Sequence, residues 1–251
     1  MFGEDADLYD AARPSYPDAL LDELVDLTGE GARVVDVGCG TGKALRAMAG
    51  RGFTGVGVEA HPAMAEVARR RLPASPAWRV DTSDFERWEP EPGDVPADLV
   101  TSAQAWHWID PAVRMVKAHR LLRPGGWLAV FWNVSSDDND TPADRALAAA
   151  YAREAPEVGG LPTIDERVPA GWPGDAAGLD FGLPVHRDLP WAQAYTTAEW
   201  LDLLRTHSNH RLLEPADLDR LLAAVAEALD DHGGVYLHRY VARLYAVQRL
   251  G

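Results

Sequence analysis

The chain has 251 residues, 47% of them hydrophobic, a single cysteine and a formal net charge of −15. Length and apolar content suffice for a sizeable core in one compact domain. An acidic surface repels phosphate backbones, which argues against a nucleic-acid partner. One cysteine excludes an intramolecular disulfide framework and leaves too few thiolates for an ordinary structural zinc site, so no metal is expected. Residues 1–10 have neither a basic start nor an apolar signal core, and neither end approaches the ~20 apolar residues of a membrane helix. A cytoplasmic location without a membrane partner is the expectation.

In the first half, short apolar runs alternate with helical patterns. Residues 33–37, 54–58, 77–80, 97–101 and 126–132 read as strands, and their alternation with helices predicts βαβ units in a mainly parallel sheet. Asp110 followed by Pro111 is the clearest helix start, an acidic cap with proline at the first helical position. Arg123-Pro-Gly-Gly126 is expected to turn the chain into the fifth strand. Periodicity then fades over residues 133–190 into Gly-, Pro- and Asp-rich sequence broken by one helical piece, 142–154, as in an insertion. Thr196-Thr-Ala-Glu199 fits a capping box opening a helix through residue 204. A second helix, about 215–231, has leucines at helical spacing, and residues 235–248 read as a long strand that can pair antiparallel beside the fifth, giving a mixed sheet.

The sharpest signal is Val34-Val-Asp-Val-Gly-Cys-Gly-Thr-Gly42, an apolar strand that breaks into glycines and enters a helix. Backbone without Cβ atoms and with free amides at a helix start suits an anionic group, phosphate or amino-acid carboxylate. A dinucleotide loop would need its third glycine at position 43, which is Lys43, so the spacing disfavours NAD. Glu59, at the end of the second strand, stands where a carboxylate accepts hydrogen bonds from ribose hydroxyls, which points to a nucleoside.

Val35-Asp-Val-Gly-Cys-Gly-Thr-Gly42 with Gly57-Val-Glu59 resembles the cofactor signature of class I S-adenosylmethionine-dependent methyltransferases. Tyr9-Asp-Ala-Ala-Arg-Pro-Ser-Tyr-Pro17, Ser102-Ala-Gln-Ala-Trp-His-Trp-Ile109 and Leu122-Arg-Pro-Gly-Gly126 resemble the branch of trans-aconitate methyltransferase-like and bacterial natural-product enzymes. The resemblance implies an α/β, Rossmann-like fold: a mostly parallel seven-stranded sheet with an antiparallel C-terminal strand, helices on both faces, and an insertion after the fifth strand. It divides a single domain into an N-terminal lid and helix (1–30), a cofactor-binding core (31–133), a variable substrate-side insertion (134–190), and C-terminal helices and strand (191–251).

Carried onto this chain, the resemblance implies that S-adenosylmethionine is held by Gly38, Gly40 and Gly42 at its methionine portion and by Glu59 at the ribose. Asp84 and Phe85 would frame the adenine, and Ser102 and Ala103 would pass the methionyl chain and sulfonium. Arg13 and Tyr16 of the lid would pair with the cofactor carboxylate and close over it. Tyr9, Cys39 and Ala60 complete the implied cofactor set. Cys39 reads as a small buried residue in a tight turn rather than a nucleophile.

Methyl transfer from a sulfonium is an in-line displacement that rests on positioning. His107, between Trp106 and Trp108 just past the fourth strand, is the candidate base or substrate-orienting group, with packing in a turn as its structural alternative. Trp106, Trp108, Asn133 and His207, the last in a polar patch at residues 205–211, are candidate acceptor contacts. Trp172, Trp191 and Trp200 could wall an apolar site, and an insertion with Gly171, Gly174 and Gly178 could serve as a lid. The expected reaction is methylation of a small molecule in secondary metabolism, most readily at a hydroxyl or carboxylate oxygen with nitrogen and carbon open, by a monomer or homodimer. The competing functions are a non-catalytic cofactor-binding scaffold and a nicotinamide-dependent oxidoreductase, against which the Lys43 spacing stands.

Overall fold

The computed structural model describes residues 5–158, 176 and 178–251. Five parallel strands build its sheet from one edge inward: β1 (Arg33–Val37), β2 (Thr54–Glu59), β3 (Trp78–Thr82), β4 (Ala97–Ala103) and β5 (Leu122–Ser135). Two more, β6 (Val185–Thr196) and β7 (Val235–Gln248), complete the order β3-β2-β1-β4-β5-β7-β6. β7 runs antiparallel to β5 and β6 antiparallel to β7. The strand order reverses between β1 and β4, which opens a crevice beyond the carboxyl ends of both, where ligands bind in sheets of this kind.

Apolar strands buried on both faces require helices above and below. The first half supplies α1 (Ala6–Ala12), α2 (Asp18–Thr28), α3 (Lys43–Ala49), α4 (Pro62–Arg71) and α5 (Pro111–Leu121). One core gathers Leu20, Leu24, Leu45, Met48 and Phe131, and a second gathers Val37, Trp106, Met115 and Trp132. α5 begins as its sequence predicts, since the Asp110 side chain accepts from the Ala112 amide ahead of Pro111. α6 (Pro142–Glu154), α7 (Thr197–Arg205) and α8 (Pro215–Asp230) build a third core around Trp200, Leu221 and Tyr236. The capping box at Thr196 and Glu199 is formed, and Thr141 with Asp144 makes a second one at the start of α6.

Two strands depart from the sequence reading. Arg123-Pro-Gly-Gly126 does not precede β5 but lies inside it: Gly125 adopts φ +78° and its amide donates to the Arg249 carbonyl, while the pairing with β4 shifts register between Ala97 and Leu99. A glycine-centred bulge lets the strand absorb the turn. The first half of β6 falls within the stretch read as insertion. Its outward residues are exposed, with Asp188 and Pro190 among them, the composition of an edge strand. Val185, Leu189, Trp191 and Tyr195 share the other face, interrupted by Arg187 and Gln193, and the strand pairs with β7 from Val185↔Ala246 to Thr196↔Val235. Trp172, Gly171 and Gly174 lie outside the described residues. No described helix is long and apolar enough to cross a membrane.

Candidate active site

A cavity of about 620 Å³ lies at the carboxyl ends of β1, β2, β4 and β5, within the size range of small-ligand sites. At one end the glycine loop leaves β1. Gly38 has φ +67° and Gly40 φ +57°, left-handed conformations that favour glycine. A Cβ on Gly38 would stand 2.6 Å from the Ala105 Cβ, so the close approach of the β1 and β4 loops also demands glycine there.

Glu59 braces the loop. One carboxylate oxygen accepts from the Gly40 amide at 2.9 Å and the other from the His61 amide at 2.8 Å. Each oxygen keeps a further lone pair, and Glu59 lines the cavity beside Ala60. The Cys39 thiol lines it too, but burial above all pushes its pKa well up, with Asp36 and Glu59 adding to the effect. It is therefore an inert packing group, as its place in the turn predicts.

Asp84 and Phe85 follow β3 into the cavity wall, Phe85 almost wholly buried and Asp84 starting a turn by accepting the Trp88 amide. Ala103 and His107 line the wall from the β4 side, and Trp108, though largely exposed, forms part of the rim. Tyr9, Arg13 and Tyr16 close the cavity from the N-terminal segment. That segment is well tied down. Asp10 pairs with Arg46 at 2.7 Å, Arg13 donates to the Thr206 carbonyl at 2.9 Å, and Tyr16 packs edge-on against Phe131 at 5.0 Å. Burial disfavours the Asp10 anion, yet hydrogen bonds from Arg46 and Thr41 hold its carboxyl below the usual range.

Three expected contacts lie outside the lining. Gly42, at φ +79°, has its missing Cβ 3.1 Å from the Ala68 Cβ, so glycine there serves the packing of α3 on α4. Ser102 is fully buried and its hydroxyl donates to the Val37 carbonyl at 2.8 Å, bracing β4 on β1. Trp106 is fully buried in the core beneath α5, where the flanking turn has rotated it inward. Asn133 and His207 do line the cavity. The Asn133 carboxamide is already engaged, donating to the Ser15 carbonyl at 2.8 Å and accepting from the Trp191 indole at 3.2 Å, which fastens the N-terminal segment to β5.

The sequence reading did not anticipate Lys43, His61, Met64, Gln104, Ser208, His238 or Tyr240 in the lining. Gln104 directly follows an expected pair and has φ +63°, the one non-glycine left-handed residue among those described. His238 and Tyr240 share the inward face of β7, a signal present in the alternation of that strand.

Behind the glycine loop, Asp36 is fully buried on β1 and accepts from the Thr101 hydroxyl at 2.8 Å. Burial first, then the nearby Glu59 charge, raises its pKa to about 7 against the Thr101 hydrogen bond. A carboxyl raised above its unfolded value of ~3.9 stabilises the fold at low pH, and that contribution is lost as pH rises through about 7. Replacing Asp36 with Asn should therefore flatten the fall in stability between ~pH 4 and ~pH 7, an effect of up to ~4 kcal/mol. Denaturant titrations of both proteins across that range measure it, and an unchanged pH profile would show that Asp36 titrates normally.

The sheet order, the glycine loop and the cavity-lining carboxylate of Glu59 together define a ligand site of the Rossmann-like class. Residues 35–130 match the methyltransferase domain family. An uncharacterized methyltransferase of Mycobacterium tuberculosis is 31% identical over 94% of this chain and 90% of its own. Trans-aconitate 2-methyltransferase of Variovorax paradoxus is 32% identical over 68% of this chain and 67% of its own. An S-adenosylmethionine-dependent methyltransferase from Thiobacillus denitrificans, solved with S-adenosyl-L-homocysteine, shares the fold at a TM-score of 0.52 and 18% identity, covering 97% of this chain and 96% of that one. The chain belongs to the class I S-adenosylmethionine-dependent methyltransferases. S-adenosylmethionine is its cofactor, and the Cβ-free loop with Glu59 fits a molecule that is both a nucleoside and an amino acid.

Proposed function

We propose that the enzyme methylates a small-molecule acceptor at oxygen, hydroxyl or carboxylate. The observation that carries this reading is the continuity of the cavity, which runs from the Glu59 end to a second wall of Leu203, His207, Ser208, His238 and Tyr240. The enclosed volume suits a cofactor and a compact acceptor together rather than a nucleic acid or a folded protein. The relative named for trans-aconitate supports a small acceptor.

S-adenosylmethionine supplies an electrophilic methyl group on a sulfonium. The chain's task is to exclude water and align the acceptor atom. The Tyr9–Tyr16 segment does the first by covering the cavity. His107 serves the second. The Trp132 indole, which only donates, reaches His107 Nδ1 at 3.4 Å. Nδ1 is then the acceptor nitrogen and Nε2 carries the ring hydrogen, so His107 orients an acceptor oxygen by donating to it instead of removing a proton. Asp84 and Phe85 at the adenine, and Arg13 at an anionic group of cofactor or acceptor, complete the assignment.

Mixing the protein with S-adenosylmethionine and a panel of small phenols, alcohols and acids, trans-aconitate included, and measuring S-adenosylhomocysteine release tests the reading. His107→Ala should bind S-adenosylhomocysteine normally and lose about 10²-fold in turnover, the scale set by misalignment. Equal turnover in the variant would remove His107 from the site, and release with none of the panel would count against a small oxygen acceptor.

A further inference from the structure

The inward face of β7 carries Tyr236, His238 and Tyr240 in alternation. The capping box that starts α6 presents Asp144 to that face. Its carboxylate accepts from the Thr141 amide at 2.7 Å and hydroxyl at 2.6 Å, and its other oxygen accepts from the Tyr236 hydroxyl at 2.5 Å. Burial opposes the charge, but the Thr141 and Tyr236 hydrogen bonds outweigh it and hold Asp144 below the usual carboxylate range. Asp144 is therefore an acceptor only, and the Tyr236 hydroxyl must spend its hydrogen on it.

Tyr236 Oη lies 2.9 Å from His238 Nδ1. With its hydrogen committed, that oxygen can only accept, so Nδ1 bears the imidazole hydrogen and Nε2 is left as a bare lone pair. Burial pushes the His238 pKa down to about 4, Asp144 opposing, which keeps the ring neutral at ordinary pH. His238 is 2% exposed, its buried Nε2 has no protein partner, and the residue is part of the cavity lining with Tyr240. A buried acceptor without a donor is costly, and a chain of three residues that fixes the uncommon tautomer so as to leave it bare calls for a donor from outside the protein.

We propose that His238 Nε2 accepts a hydrogen bond from the acceptor substrate and takes up the proton its hydroxyl loses when the oxygen is methylated, and that the enzyme thereby selects acceptors bearing a hydroxyl group over carboxylates. This rests on the methyl-transfer reading of the same cavity and decides between the two oxygen acceptors that reading leaves. A carboxylate brings no hydrogen and would set its lone pairs against that of Nε2. Sites built to hydrogen-bond a substrate hydroxyl reject analogues lacking it strongly, because the protein group is then left unpaired. Asp144 and Tyr236 are positioning residues that act through the histidine tautomer.

The test uses full-length protein labelled with ¹⁵N-histidine and saturated with S-adenosylhomocysteine, His238 being assigned by loss of its signals in His238→Gln. Long-range ¹H–¹⁵N spectra should show Nδ1 protonated and Nε2 bare. Phenol should shift the Nε2 resonance toward the hydrogen-bonded range, whereas anisole and benzoate leave it in place. Tyr236→Phe should release the tautomer and weaken phenol binding by about tenfold, the worth of one hydrogen bond. A protonated Nε2, an Nε2 indifferent to phenol, or an equal response to benzoate would overturn the proposal. If S-adenosylhomocysteine binds while Nε2 ignores phenol, only this inference fails; if S-adenosylhomocysteine does not bind, the reading beneath it fails as well.

Discussion

Glu59→Ala should weaken S-adenosylhomocysteine binding by at least ~10²-fold and lower stability by about 1–3 kcal/mol, because the Gly40 and His61 amides lose a charged acceptor. Hydrogen bonds to a charged group contribute about 1.5–3 kcal/mol each, and this carboxylate is asked to do two kinds of work. It holds the amides of Gly40 and His61, so that the loop is shaped before the ligand arrives, and in the proposed assignment its remaining lone pairs take the ribose hydroxyls. Removing it loosens the cradle and deletes a ligand contact together. Glu59→Gln retains one accepting oxygen and should fall between wild type and Ala. Calorimetric titration of the three proteins checks the order, and an Ala variant binding within threefold of wild type would show that the ribose is held elsewhere.

Gly38→Ala should damage both fold and affinity. Its Cβ would stand 2.6 Å from that of Ala105, on a backbone at φ +67° that L side chains rarely adopt. Overpacking of this kind costs about 1–3 kcal/mol, and left-handed strain adds to it. Relief would come from separating the β1 and β4 loops, which line the same cavity, so cofactor affinity should drop ~10-fold or more along with the unfolding midpoint. Combining it with Ala105→Gly removes the clash but not the strain and should restore part of the stability. Full restoration would assign the entire cost to the contact; none would assign it to φ. By contrast, substituting Gly42 should act through α3 and α4, with stability falling before any direct effect on the ligand.

How far these features were legible in sequence depended on whether the signal was local. The βαβ core was readable because fully buried parallel strands are apolar runs with no polar alternation, and because Asp110, Thr196 and Glu199 mark helix starts within a few residues. β6 was not, since an edge strand buries one face only, and its charges and Pro190 read as loop until β7 is beside it. The glycine loop and Glu59 announced a ligand by spacing, but spacing does not distinguish a glycine that lines the cavity from one packed on a helix, as Gly38 and Gly42 show. Trp106 and Ser102 shared a motif with residues that face the cavity, and only the rotation of each residue about the strand end and the following turn separates the lining from the core. His238 and Tyr240 are distant from every motif in the chain. The antiparallel return of β7 brings them to the cavity, so the acceptor wall required the sheet order first.

Equilibrium binding of S-adenosylhomocysteine to the intact protein, with NAD as the control, bears most directly on the cofactor site from which everything else is argued. Binding in the micromolar range, worth about −8 kcal/mol, with NAD neither binding nor competing, is the expected result. No binding of S-adenosylhomocysteine, or its displacement by NAD, would contradict the assignment of the glycine loop and Glu59 to S-adenosylmethionine.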